Sequence, residues 1–249
     1  MDLSSLFQLT SDCLLCGCPV QSHQPDIRGD SPLICHFCHQ RLPLSKTACN
    51  VCGLPLTVEE NDSSSPLNSV FNLPCGKCLK DSPPFNRTIA AFHYQPPIDQ
   101  LISRMKYSSQ IHYIPLLCEY LIYEIRAQYQ EHKLPSCIIA MPLHPKKLSS
   151  RGFNQAHLIA KQISKSTGIN IISQGIRRIK NTQAQSGLDS LERHRNVKRA
   201  FEIKQSLPEH VAIVDDVVTT GMTVSELAKC AKKQGAKQID VWCIARAHE

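Results

Sequence analysis

The stretch VAIVDDVVTTGMT, Val211 to Thr223, decides the fold. Four apolar residues, Val211–Val214, run into two adjacent carboxylates, Asp215 and Asp216. A short apolar run of this kind reads as a parallel strand buried on both faces. In open α/β sheets, ligands bind just beyond the carboxyl ends of the strands, which is where the two acids fall. Small and hydroxylated residues (Thr219, Thr220, Gly221, Thr223) then lead into a helix. Such a loop lets backbone N–H groups turn inward as an anion nest at the helix N-terminus. The acids would repel a phosphate and instead suit the vicinal hydroxyls of a sugar. A ligand with a diol beside a phosphate satisfies both halves of the stretch.

Outward from this strand, the chain from Arg87 alternates strands and helices. RTIAAFHY reads as a strand, and PIDQLISRMKY as a helix with Ile98, Leu101, Ile102 and Met105 on one face. A longer amphipathic helix is expected over 113–130. CIIAMP (137–142) reads as a buried strand, and Phe153 to Ser166 as a helix facing inward through Ala156, Ile159, Ala160 and Ile163. Ile169–Ile172 is a further candidate strand. After the HVAIVDD strand, MTVSELAKCAKKQG ends on lysines and a glycine, as a helix C-terminus should. KQIDVWCIARA closes the series as a strand. This order predicts an α/β domain over 86–249, with a mainly parallel sheet flanked by helices.

Residues 1–85 carry a different signal. Eight of the 13 cysteines form four Cys-x-x-Cys pairs: Cys13/Cys16, Cys35/Cys38, Cys49/Cys52 and Cys75/Cys78. Two such pairs can complete a tetrahedral Zn²⁺ site. The gaps of 18 residues (Cys16 to Cys35) and 22 residues (Cys52 to Cys75) favour two successive Cys₄ ribbons over a nested pairing. The second gap holds the acidic, serine-rich insert EENDSSSPLNS. Gly17 and Gly53 follow their knuckles, and His36 and His39 are alternative ligands that complete Cys₄ sets do not need. A segment poor in large apolar residues needs such staples to fold, so the zinc is expected to be structural.

Charge separates the same two regions. Residues 1–85 sum to −3 and residues 86–249 to +10, and His132 to Leu188 holds nine Lys/Arg without one Asp or Glu. That run predicts a surface that meets phosphates. No apolar run is long enough to cross a bilayer, and the opening MDLSSLFQLTSD lacks a signal-peptide pattern, so a cytoplasmic protein is expected.

The Val211 stretch resembles the phosphoribosyl-pyrophosphate (PRPP) motif of type I phosphoribosyltransferases. With the four cysteine pairs, RGFNQAHLIA (151–160) and NTQAQSGLDSLERHRNV (181–197), the chain resembles the ComF family of competence proteins over nearly its whole length. The resemblance implies that Asp215 and Asp216 hold the ribose hydroxyls. Thr219, Thr220, Gly221, Met222 and Thr223 would hold the 5′-phosphate. MPLHPKKLSSRG would form the pyrophosphate loop with Lys146, Lys147 and Arg151, and Arg193 and Arg195 would sit on a mobile flap. Mg²⁺ would accompany PRPP, bound mainly through ligand oxygens and waters. Two functions follow as expectations. One is handling of incoming single-stranded DNA in natural transformation, with other DNA-uptake proteins as possible partners. The other is a conventional phosphoribosyltransferase of nucleotide metabolism, for which no pocket for the attacking base is readable.

Overall fold

The apolar run at Val211 forms an interior strand of a four-stranded parallel sheet. The computed structural model describes residues 12–20, 33–56, 73–181 and 197–247. In chain order its elements are α1 (His36–Gln40), α2 (Gly76–Lys80), β1 (Arg87–His93), α3 (Ile98–Tyr107) and α4 (Ile114–Gln128). There follow β2 (Cys137–Ala140), α5 (Pro145–Arg151), α6 (Gln155–Thr167), β3 (Ile176–Arg178), β4 (Phe201–Ile203), β5 (His210–Val218), α7 (Met222–Lys233) and β6 (Gln238–Arg246). The sheet order is β1-β6-β5-β2, all parallel, and β3 and β4 form a separate antiparallel pair.

Alternation along the inner strands explains the unbroken apolar runs. On β5, Ala212 and Val214 join the core under α3, α4 and α6, while Val211 and Ile213 join the core under α7. β6 divides likewise, Trp242 and Ile244 to the first core and Ile239, Val241 and Cys243 to the second. Each fully buried aliphatic side chain contributes about 1.5–3 kcal/mol, so a two-faced strand is a strong folding determinant.

The candidate strand at 169–172 appears as a single parallel bridge, Ile138 to Ile171. Five elements go beyond the sequence expectation: α1, α2, α5, β3 and β4. α5 starts on Pro145, is capped by the His144 side chain and stops at Gly152 with φ 79°. α6 begins at Gln155, later than expected, because Asn154 is extended and donates from Nδ2 to the Met141 carbonyl at 3.0 Å. That bond fastens the start of α6 to the end of β2.

The cysteine-rich segment packs onto the sheet. Leu44 bridges antiparallel to Phe92 on β1, with Ser45 N–H to Ala91 O at 3.0 Å and His93 N–H to Pro43 O at 2.8 Å. Cys13, Ile34 and Leu42 are buried in the same core as Phe92 and Tyr120. His39 Nδ1 lies 2.5 Å from the Tyr120 hydroxyl, the rings stacked at 5.6 Å.

Candidate functional site

At the carboxyl end of β5 the backbone aims both carboxylates. Asp216 N–H donates to Asp215 Oδ1 at 2.9 Å, and Val217 N–H to Asp216 Oδ1 at 2.7 Å. Asp216 is buried and pairs through Oδ2 with Lys106 Nζ at 2.9 Å, from the last turn of α3. Burial, then the neighbouring Asp216, pushes the Asp215 carboxyl up to about 7. Burial pulls the Lys106 ammonium down, but Asp216, helped by Asp215, holds it above its ordinary value. The acids therefore do not act as two independent anions; they share one internal cation.

The following loop turns at Gly221, whose φ of 75° places it in the left-handed region as the N-cap of α7. A β-branched side chain is strained there. Thr219, Gly221 and Thr223 line a cleft of about 270 Å³ together with both acids.

Part of the lining is cationic. Lys147, Arg151 and Arg178 line the same cleft. Burial, then Arg178 and Arg151, drives the Lys147 ammonium below its ordinary value. That crowding of like charge is relieved by an anion. Arg151 donates from Nη1 to Gln155 Oε1 at 3.2 Å and lies 5.4 Å from the Tyr107 ring centroid. Gln155 is 2% exposed, and among the described residues its Nε2 has no partner, leaving a buried donor on the cleft wall.

Most of the predicted residues thus converge, with differences. Lys146 is exposed and does not line the cleft, because only one face of the short α5 turns toward it. Thr220 and Met222 lie outside the cleft lining, Thr220 accepting from Met222 N–H at 3.4 Å. Arg193 and Arg195 lie outside the described residues. Lys106, Gln155 and Arg178 are additions. Gln155 lies within RGFNQAHLIA and Arg178 within the acid-free run, but Lys106 reads from sequence as the polar side of a helix.

The eight paired cysteines fall into two groups, Cys13/Cys16/Cys35/Cys38 and Cys49/Cys52/Cys75/Cys78, so the pairing is sequential. In each group the sulfurs lie within 4.8 Å of one another. Cys16 and Cys35 Sγ are 3.6 Å apart, and Cys52 and Cys75 Sγ 3.7 Å. A tetrahedron with bonds of about 2.3 Å has sulfur–sulfur edges of about 3.8 Å, so both groups fit Zn²⁺. The two share one plan. The first pair lies on a knuckle closed by Gly17 N–H to Cys13 O, or Gly53 N–H to Cys49 O, each at 2.8 Å. The second pair straddles the start of α1 or α2. Burial raises the Cys13 and Cys49 thiols, but backbone N–H donors outweigh it and bring them to about 6 and about 7. Both sites are closed by four sulfurs, which suits a structural ion.

No family model matches the chain. It is 35% identical over 216 residues to the DNA utilization protein YhgH of Escherichia coli, covering 86% of this chain and 90% of that one. It is 37% identical over 179 residues to Competence protein F of Haemophilus influenzae, covering 70% of this chain and 78% of the relative. Competence protein ComFC of Streptococcus pneumoniae is 24% identical over 159 residues, 63% of this chain and 67% of that one. Among solved structures, a purine phosphoribosyltransferase from Pyrococcus horikoshii is similar at 21% identity over 53% of this chain and 72% of that one, with a TM-score of 0.34. Similarity at this level over most of the chain and most of its relatives shows that the chain belongs to the ComF family of competence and DNA utilization proteins.

Proposed function

We propose that the cleft at the end of β5 binds PRPP with Mg²⁺, and that the protein uses it while handling incoming single-stranded DNA in the cytoplasm during natural transformation. The observation that carries the reading is one cleft joining three features. These are the Asp215–Asp216 pair, the loop from Thr219 to Thr223, and a wall of Lys147, Arg151 and Arg178. The acids suit the ribose hydroxyls, the loop a 5′-phosphate at the start of α7, and the cations a pyrophosphate. Mg²⁺ would be held by pyrophosphate oxygens and water, supplying charge neutralisation beside the lysine and arginines. Lys106 Nζ pairs with Asp216 Oδ2 at 2.9 Å and so fixes the carboxylate that would accept a hydroxyl. The working division of the chain is a zinc-binding module over 1–85 and a phosphoribosyltransferase-like domain over 86–249.

A second reading, an ordinary phosphoribosyltransferase of nucleotide metabolism, draws on Tyr107. Its ring is 73% exposed next to Arg151, a flat surface on which an acceptor base can stack. Pyrophosphate release from PRPP against a panel of bases and single-stranded oligonucleotides separates the two. Release with free bases supports the second reading. For the first, single-stranded DNA should bind with affinity falling by about 0.7 log unit per tenfold salt for each phosphate contacted. Absence of binding at low salt overturns it.

A further inference from the structure

A larger cleft, about 890 Å³, opens at the opposite end of the sheet. Its floor is the amino ends of β1, β5 and β6, marked by Arg87, His210 and Gln238. Its walls come from the second cysteine knuckle, through Lys46 and Asn50, and from α4 and the turn beyond it, through Tyr123, Gln128 and Lys133. Lys46, Arg87 and Lys133 line it together with one acid, Glu124. Lys133 opens the acid-free run at His132–Leu188, so that run serves both ends of the sheet: Lys147, Arg151 and Arg178 line the first cleft, Lys133 the second.

Arg87 is held from behind. Its Nε lies 3.3 Å from Asp240 Oδ2, and its guanidinium sits 4.4 Å over the Tyr129 ring. Asp240 has no solvent exposure and also binds the Tyr129 hydroxyl and His210 Nε2, the latter at 2.7 Å. A buried carboxylate is costly unless paired, and here it fixes a guanidinium and an imidazole along one cleft floor. Among the described residues, neither Nη of Arg87 nor the ammonium of Lys46 or Lys133 has a hydrogen-bond or ion-pair partner. The Asp240 network accounts for how Arg87 is packed; Lys46 and Lys133, both exposed, add two further positive charges to the lining of the same cleft. An arginine stacked on an aromatic and anchored by Nε offers a planar pair of donors matched to phosphate oxygens.

We propose that this cleft is a second anion site, which takes the phosphate group of a nucleotide, either free or as a unit of a single strand. Clefts for small ligands run from about 300 to 1,000 Å³, so a whole nucleotide is accommodated. The site is separate from the Asp215–Asp216 cleft and does not depend on what that cleft binds.

The test is calorimetric titration of the zinc-loaded full chain with deoxyadenosine 5′-monophosphate, deoxyadenosine and a short oligodeoxythymidine. It compares wild type with the Lys46→Ala/Lys133→Ala double variant and with Arg87→Gln. Phosphate-bearing probes should bind wild type and deoxyadenosine should not, and the double variant should bind at least about tenfold more weakly. Its melting temperature and PRPP affinity should match wild type, which separates this cleft from the first and excludes unfolding. Binding of the monophosphate alone assigns a free nucleotide, and binding of the oligonucleotide assigns a strand. Equal affinity for deoxyadenosine, equal binding by the double variant, or no binding of either phosphate probe overturns the proposal.

Discussion

Arg246 donates from Nε to the carbonyl oxygen of Cys52 at 2.7 Å and from Nη1 to that of Val218 at 3.2 Å. The same Nη1 also donates to Thr219 O, at the start of the candidate phosphate loop. The side chain is 2% exposed. One buried guanidinium thereby fastens the second cysteine group to the loop that follows Asp215 and Asp216. Arg246→Met orphans several buried carbonyls, at about 1–3 kcal/mol each. It should lower the melting temperature and weaken PRPP binding, while zinc content by elemental analysis stays unchanged. PRPP affinity equal to wild type would disprove the coupling.

Two closed Cys₄ groups predict two zinc ions per chain, measured by elemental analysis; a value clearly below one sinks both sites. The knuckle glycines refine the test. Both have positive φ, 74° at Gly17 and 70° at Gly53, yet a Cβ at Gly17 meets nothing while one at Gly53 would lie 2.9 Å from Thr88 Cγ2. Gly17→Ala should therefore cost about 1–2 kcal/mol of left-handed strain alone. Gly53→Ala should cost more, because the second knuckle must also lift from β1. Equal melting temperatures for the two variants would contradict this docking.

Asp215 gives a pH signature. Its folded-state value, about 7, lies above the ordinary 3.8, so between these values the folded chain binds more protons than the unfolded one. Asp215 therefore favours folding at low pH and loses that contribution as the pH rises through about 7. Asp215→Asn should raise the melting temperature most at about pH 8, with the gain shrinking toward about pH 4. A gain independent of pH would show that Asp215 is not the titrating group.

How legible the molecule is from its sequence varies with range. The strands β5 and β6 announce themselves as unbroken apolar runs buried on both faces, and the helices α3, α6 and α7 because apolar spacing fixes which face is buried. The cysteine groups are equally plain, since ligand identity and spacing specify them. β3 and β4 are hidden: each is three residues long, and Ile176 pairs with Ile203 across a long intervening segment. Arg178 is lost with them. Lys106 is missed because nothing local marks a lysine that meets an acid on another element, and Arg246 because it reads as the end of an apolar strand.

The central claim is that the β5–α7 cleft binds PRPP. Calorimetric titration of PRPP with Mg²⁺ into the zinc-loaded full chain at about pH 8, where Asp215 is mostly ionised, tests it most directly. Asp216→Asn removes a charge-assisted acceptor and should cost about 1.5–3 kcal/mol of binding. Gly221→Val should weaken binding through its backbone, because φ is 75° there and a Cβ would meet no protein atom within 4 Å. Binding by wild type, weakened in both variants, is the predicted result. No binding by wild type, or equal binding by all three proteins, would contradict it.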